Sequence, residues 1–138
     1  MDSAVYPKFR EALRMLSFGR YGMAAEALEE LAQARGDPDC RYWLAYVYRR
    51  TRRYDKALPI LETLPRCREE LEKVQAERRS YELFRQALEL QGRGELDKMR
   101  RLLEEAHEEI DDDPELRRWI EEELEFCRAS LFDEENVP

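Results

Sequence analysis

Residues 19–31, GRYGMAAEALEEL, return as residues 52–64, RRYDKALPILETL, and this recurrence limits the possible fold more than any other feature. At an offset of 33 residues Tyr21 falls on Tyr54, Ala24 on Ala57, Leu28 on Leu61 and Leu31 on Leu64. The preceding stretch agrees, with Phe9 on Tyr42 and Ala12 on Ala45. A third copy, GELDKMRRLLEEA (94–106), lies 42 residues further on, with Leu96, Met99, Leu103 and Ala106 in the corresponding places and Ala87 upstream. Apolar residues three and four apart have the period of a helix. A small residue recurring at one place lets two helices approach closely. A helix pair of this kind cannot bury its apolar face alone, so successive copies must stack.

Breakers divide the chain into helices near 4–17, 21–34, 38–51, 54–64, 68–91, 95–109 and 114–131. Gly19 and Gly22, RGDPD (35–39), TRR (51–53), LPRC (64–67) and QGRGE (91–95) supply the interruptions. DDDPE (111–115) is a start signal, with Asp113 as N-cap and Pro114 at the first helical position. The chain has no alternating β-branched run long enough for a strand. The residues added before the third copy lie in CREELEKVQAERRSYELFRQALELQ (67–91), which has no breaker. They are expected to lengthen the start of that helix, with Leu71, Val74, Arg78 and Tyr81 continuing its inner stripe.

These residues resemble the tetratricopeptide repeat (TPR) family. The family pattern has a small residue within its first helix, then a Gly-containing turn with an aromatic. An Ala early in the second helix and a large apolar residue follow, often with a Pro near the next repeat. Here the pattern reads Ala12, Gly19, Tyr21, Ala24, Leu28 and Pro38, then Ala45, Tyr54, Ala57 and Leu61. The resemblance covers roughly residues 5–110. The third copy departs from it, with Leu96 for the aromatic and Met99 for the small residue. Lys8, Arg41 and Leu83 stand where the family has a large aromatic. The resemblance implies an all-α, TPR-like right-handed superhelix of about seven helices in antiparallel pairs. It implies one domain over 1–138, with repeats at about 5–37, 38–66 and 67–110. A capping helix at about 114–131 and a short acidic tail, 132–138, would follow. The implied role is a protein-interaction module, an adaptor or a chaperone-like scaffold.

In such a stack the first helix of each pair lines the concave side. On the matched register the lining is Phe9 and Leu13, then Tyr42, Tyr46, Arg49 and Arg50, then Tyr81, Phe84 and Leu88. Two tyrosines one turn apart, followed by two arginines, suit capture of a peptide or helix from a partner protein, with a preference for acidic character. Arg52, Arg53 and Lys56 are expected to form a solvated corner. The family's grip on a C-terminal carboxylate uses Lys and Asn on first helices; Phe9 and Leu13 stand there instead, which disfavours that specialisation.

Charge is divided unevenly. Residues 104–138 hold 15 acidic and 3 basic side chains, so a total of −8 leaves +4 for residues 1–103. The acidic end would repel a polyanion, and a single Arg pair is no continuous basic face, so nucleic acid is not an expected partner. An alternative reading follows from the same split: a self-assembling structural protein whose acidic C-terminal segment meets the basic front of another copy. Trp119 or Phe126 could then be an association surface. The single histidine, His107, lies among glutamates with no soft ligand nearby, and GRYG and GRG lack the lysine of a phosphate loop. No enzyme, metal or cofactor is therefore expected. Cys40, Cys67 and Cys127 are odd in number and without a CxxC pair, and no apolar run reaches membrane-spanning length. A cytoplasmic protein without a membrane partner is the expectation.

Overall fold

The computed structural model describes residues 1–135. These form α1 (Tyr6–Ser17), α2 (Tyr21–Arg35), α3 (Pro38–Arg50), α4 (Tyr54–Glu62), a 3₁₀ turn (Pro65–Cys67), α5 (Arg68–Gly92), α6 (Leu96–Glu109) and α7 (Pro114–Glu135). There is no strand among the described residues, and the protein is an all-α, TPR-like helical repeat. The expected helix ends hold within a residue or two, except at α7. That helix continues through residue 135, so the start of the expected tail is helical, and residues 136–138 lie outside the described residues.

Contacts divide the chain into two compact units, Met1–Val74 and Gln75 onward, with the boundary inside α5. In the first unit α1 packs on α2, α2 on α3 and α3 on α4. Phe9, Ala12, Ala24, Leu28, Leu44, Val47, Tyr48 and Ala57 belong to its core. In the second, α6 packs on α7, and Phe84, Ala87, Met99, Leu103, Ala106, Leu116, Ile120 and Cys127 are buried together. The recurring small residues are fully enclosed: Ala12, Ala24, Ala57, Ala87 and Ala106 are 0% exposed and Ala45 is 1%. Leu116, Ile120, Leu124 and Cys127 recur at three- and four-residue steps along α7 and are buried in the same cluster. The start of α7 is fixed by Asp113, whose carboxylate accepts the Leu116 N–H at 3.0 Å.

One turn is built three times. After α1 the Gly19 N–H donates to the Leu16 carbonyl and the Arg20 N–H to Met15, both at 2.9 Å. After α3 the Arg52 N–H donates to Arg49 at 3.0 Å and the Arg53 N–H to Tyr48 at 2.7 Å. After α5 the Gly94 N–H donates to Gln91 at 3.0 Å and the Glu95 N–H to Leu90 at 3.1 Å. This is the paired closure that satisfies carbonyls at the end of a helix and needs a left-handed residue. Gly19 (φ 73°) and Gly94 (φ 73°) supply it without strain, and Arg52 (φ 61°) supplies it in the second copy. A Cβ added at Gly19 or Gly94 would meet nothing within 4 Å, so any cost there is backbone strain alone. Gly19→Ala and Gly94→Ala should each lower stability by about 1 kcal/mol, read as a shift in urea midpoint.

The long α5 is continuous, as expected, with the added residues at its start: Ala45 is the eighth residue of α3, whereas Ala87 is the twentieth of α5. Its inner stripe differs from the expected one. Val74, Glu77, Ser80, Phe84 and Ala87 are buried, whereas Arg78 is on the exposed side, paired with Glu82 at 3.1 Å. Ser80 is accommodated because its hydroxyl donates to the Ala106 carbonyl at 2.8 Å, holding α5 against α6. The cysteines Cys40, Cys67 and Cys127 are unbridged and buried, and burial pushes each thiol above its ordinary pKa.

Candidate functional site: the open face of α3

α3 starts cleanly. The Asp37 carboxylate accepts the Asp39 N–H at 2.8 Å, and Pro38 occupies the first position. Cys40, Leu44, Ala45, Val47 and Tyr48 are buried. The other side carries Tyr42, Trp43 and Tyr46, then Arg49 and Arg50, at the spacing of one helix face. The three rings touch edge to face. Tyr42 and Trp43 have centroids 5.4 Å apart at 85°, and Trp43 and Tyr46 lie 5.3 Å apart at 71°. This arrangement matches ring edges to ring faces and holds the side chains with little rotamer freedom. Trp43 roots the group in the core, while Tyr46 is 36% exposed.

The start of α5 borders this face. The Tyr42 hydroxyl points at Glu70, 3.4 Å away, and Arg41 bonds the Thr63 hydroxyl after α4. Burial, and then the Glu70 carboxylate, push the Tyr42 phenol above its ordinary pKa, while Arg49 pulls it the other way. Charge along α3 runs from exposed Asp39 at one end to Arg49 and Arg50 at the other.

In the basic stretch after α3, Arg53 and Lys56 are exposed as expected of a solvated corner, whereas Arg52 is not. Arg52 is half-buried, and its guanidinium donates to the Tyr54 hydroxyl at 2.8 Å. The Arg53 guanidinium lies 4.9 Å from the centre of the Tyr48 ring, and the Lys56 ammonium 5.6 Å from it. Tyr48 itself is 5% exposed and donates its hydroxyl to Glu29 on α2. The cations therefore secure an aromatic ring where α2, α3 and α4 meet. Burial, followed by the bond to Glu29, raises the Tyr48 phenol from 10.0 to about 12. A phenol raised in the folded state favours folding while it is protonated. That contribution is complete below pH 10 and lost as pH rises through about 12. Thermal unfolding followed across this range should show a falling midpoint, with a shallower fall for Tyr48→Phe.

The remaining expected lining residues differ in exposure. Phe9, 9% exposed, belongs to the core cluster that also holds Ala24 and Leu28, and Leu13 is half-buried against that cluster. Phe84 is 8% exposed and stacked on Trp119, with centroids 6.2 Å apart and planes at 23°, inside the second unit. Tyr81 is half-buried against the same cluster, and Leu88 is exposed. Trp119 is therefore partly buried, whereas Phe126 is 47% exposed. Sequence reasoning passed over Trp43. It stands beside Tyr42 and three residues before Tyr46, a spacing that could have placed it with them.

His107 Nε2 lies 3.1 Å from the Glu121 carboxylate across α6 and α7. Among the described residues no three His, Cys, Asp or Glu side chains gather as metal ligands, and no helix is long and apolar enough to cross a membrane.

Paired helices with enclosed alanines and a repeated closing turn make this a helical repeat. Residues 15–79 match the family model of the tetratricopeptide repeat. The chain is also similar to the Yersinia enterocolitica type III secretion chaperone SycD, solved in complex with a peptide of the translocator YopD. That likeness has 18% identity and a TM-score of 0.45, over 95% of this chain and 97% of the other. No curated protein matches the chain.

Proposed function

We propose that this protein is a non-catalytic interaction module that holds an extended or helical segment of a partner protein against the open face of α3. The observation that carries this reading is the Tyr42–Trp43–Tyr46 ring ladder, half-open to solvent and locked by edge-to-face contacts. Rigid aromatic anchors of this type lose little entropy on binding and dominate interface energetics. Arg49 and Arg50 favour acidic groups at one end of the face, and Asp39 disfavours them at the other. A bound segment should therefore be acidic where it meets the C-terminal end of α3. Unbridged, buried cysteines support work in a reducing compartment such as the cytoplasm.

Trp43 is its own reporter once Trp119→Phe removes the other indole. Titration of that chain with a panel of peptides carrying aromatic anchors and acidic or basic flanks should change Trp43 fluorescence for the acidic set. Tyr46→Glu, with its helical circular dichroism retained, should weaken binding at least about tenfold, a cost of about 1.4 kcal/mol. Equal binding to both folded chains would move the site away from α3.

A further inference from the structure

The outer side of α7 carries an unusual combination of residues. Its core-facing residues are Leu116, Ile120, Leu124 and Cys127. On the other side Phe126 is 47% exposed, Phe132 is 64% exposed, and Ala129 lies between them at three-residue steps, with exposed Glu122 and Glu125 just before. A helix with one face in its own core would ordinarily keep the opposite face polar. Two phenylalanines beside carboxylates instead make an acidic helix with aromatic anchors. That is the chemistry which the α3 face, with its tyrosines, tryptophan and paired arginines, is suited to receive. The charges also complement each other: the chain from residue 104 onward is strongly acidic, while the preceding part is net basic.

We infer that the α3 face of one copy receives the Phe126–Ala129–Phe132 face of α7 from a second copy. This rests on the binding role proposed for α3 and names an occupant for it. The two surfaces are different patches, so each copy has one donor face and one acceptor face. Wild-type protein should associate as concentration rises, and it should dissociate as salt screens the arginine–glutamate pairing. A partner protein bound to α3 would compete with this assembly, so a self-associated store would release monomers as partner accumulates.

Mixing mutants distinguishes this geometry from other modes of association. Tyr46→Ser removes the acceptor and leaves α7 intact; Phe126→Ser with Phe132→Ser removes the donor and leaves α3 intact. Both full-length variants would first be checked for unchanged helical circular dichroism. Sedimentation velocity on each alone should give monomer at concentrations where wild type associates. An equimolar mixture should give a species of two chains that does not grow further, because only one productive pairing remains. Wild type that stays monomeric, a Tyr46→Ser variant that still associates, or a mixture that stays monomeric would each overturn the inference. If wild type is monomeric but Tyr46→Glu still loses peptide binding, the role of α3 stands and only this occupant is rejected.

Discussion

Leu103→Ala is expected to cost about 2–5 kcal/mol of stability, seen as a lower urea midpoint at unchanged slope. Leu103 is 0% exposed and is buried with Met99 and Ala106 of α6 and Leu116 and Ile120 of α7. Deleting its branched end removes apolar contact and leaves a void that backbone on both sides holds open. A surface control on the same helix sets the scale. Arg101, whose side chain is 70% exposed and pairs with Asp97 at 2.9 Å, should tolerate alanine within about 0.5 kcal/mol. A loss below about 1 kcal/mol for Leu103→Ala would mean that α6 and α7 close over the gap, contrary to the packing described.

Ala57→Leu, a change in the opposite direction, should destabilise by about 1–3 kcal/mol. Ala57 is 0% exposed, in the core shared by α2, α3 and α4, and a side chain four carbons long has no space unless α4 moves outward. The corresponding residue of the third copy is Met99, also 0% exposed. One repeat position thus takes a methyl group in the first unit and a thioether chain in the second, each fully enclosed. Met99→Ala should therefore destabilise the protein although it restores the residue found in the other copies. Differential scanning calorimetry on the two variants would show both midpoints falling; a rise for Met99→Ala would contradict the enclosure of that side chain.

The helices could be read from sequence because their determinants are local: periodic apolar spacing, breakers, and Pro at helix starts. The repeat then supplied the pairing, since alanines at matched places mark where helices cross. The face of α3 was partly legible, because Tyr42 and Tyr46 stand one turn apart and the arginines follow. Phe9 and Phe84 show why the remainder was not. Periodicity identifies residues sharing one side of a helix, but whether that side faces solvent or a neighbour depends on packing that no local signal reports. Both rings became core, one against α2 and the other stacked on Trp119. Charge was more legible: Arg53 and Lys56 are exposed, as a run of cations suggests, and what local sequence does not report is that both lie over the ring of Tyr48, contributed by the preceding helix.

The enclosure of the three thiols has a practical consequence for spectroscopy on this protein. Thiol reagents attack the thiolate, and each native cysteine is both covered and held in its neutral form. A cysteine placed at an exposed position such as Ala129 would react far faster than the native ones. A fluorophore or spin label could then be attached to α7 in the otherwise wild-type chain, leaving Cys40, Cys67 and Cys127 in place to fill the core.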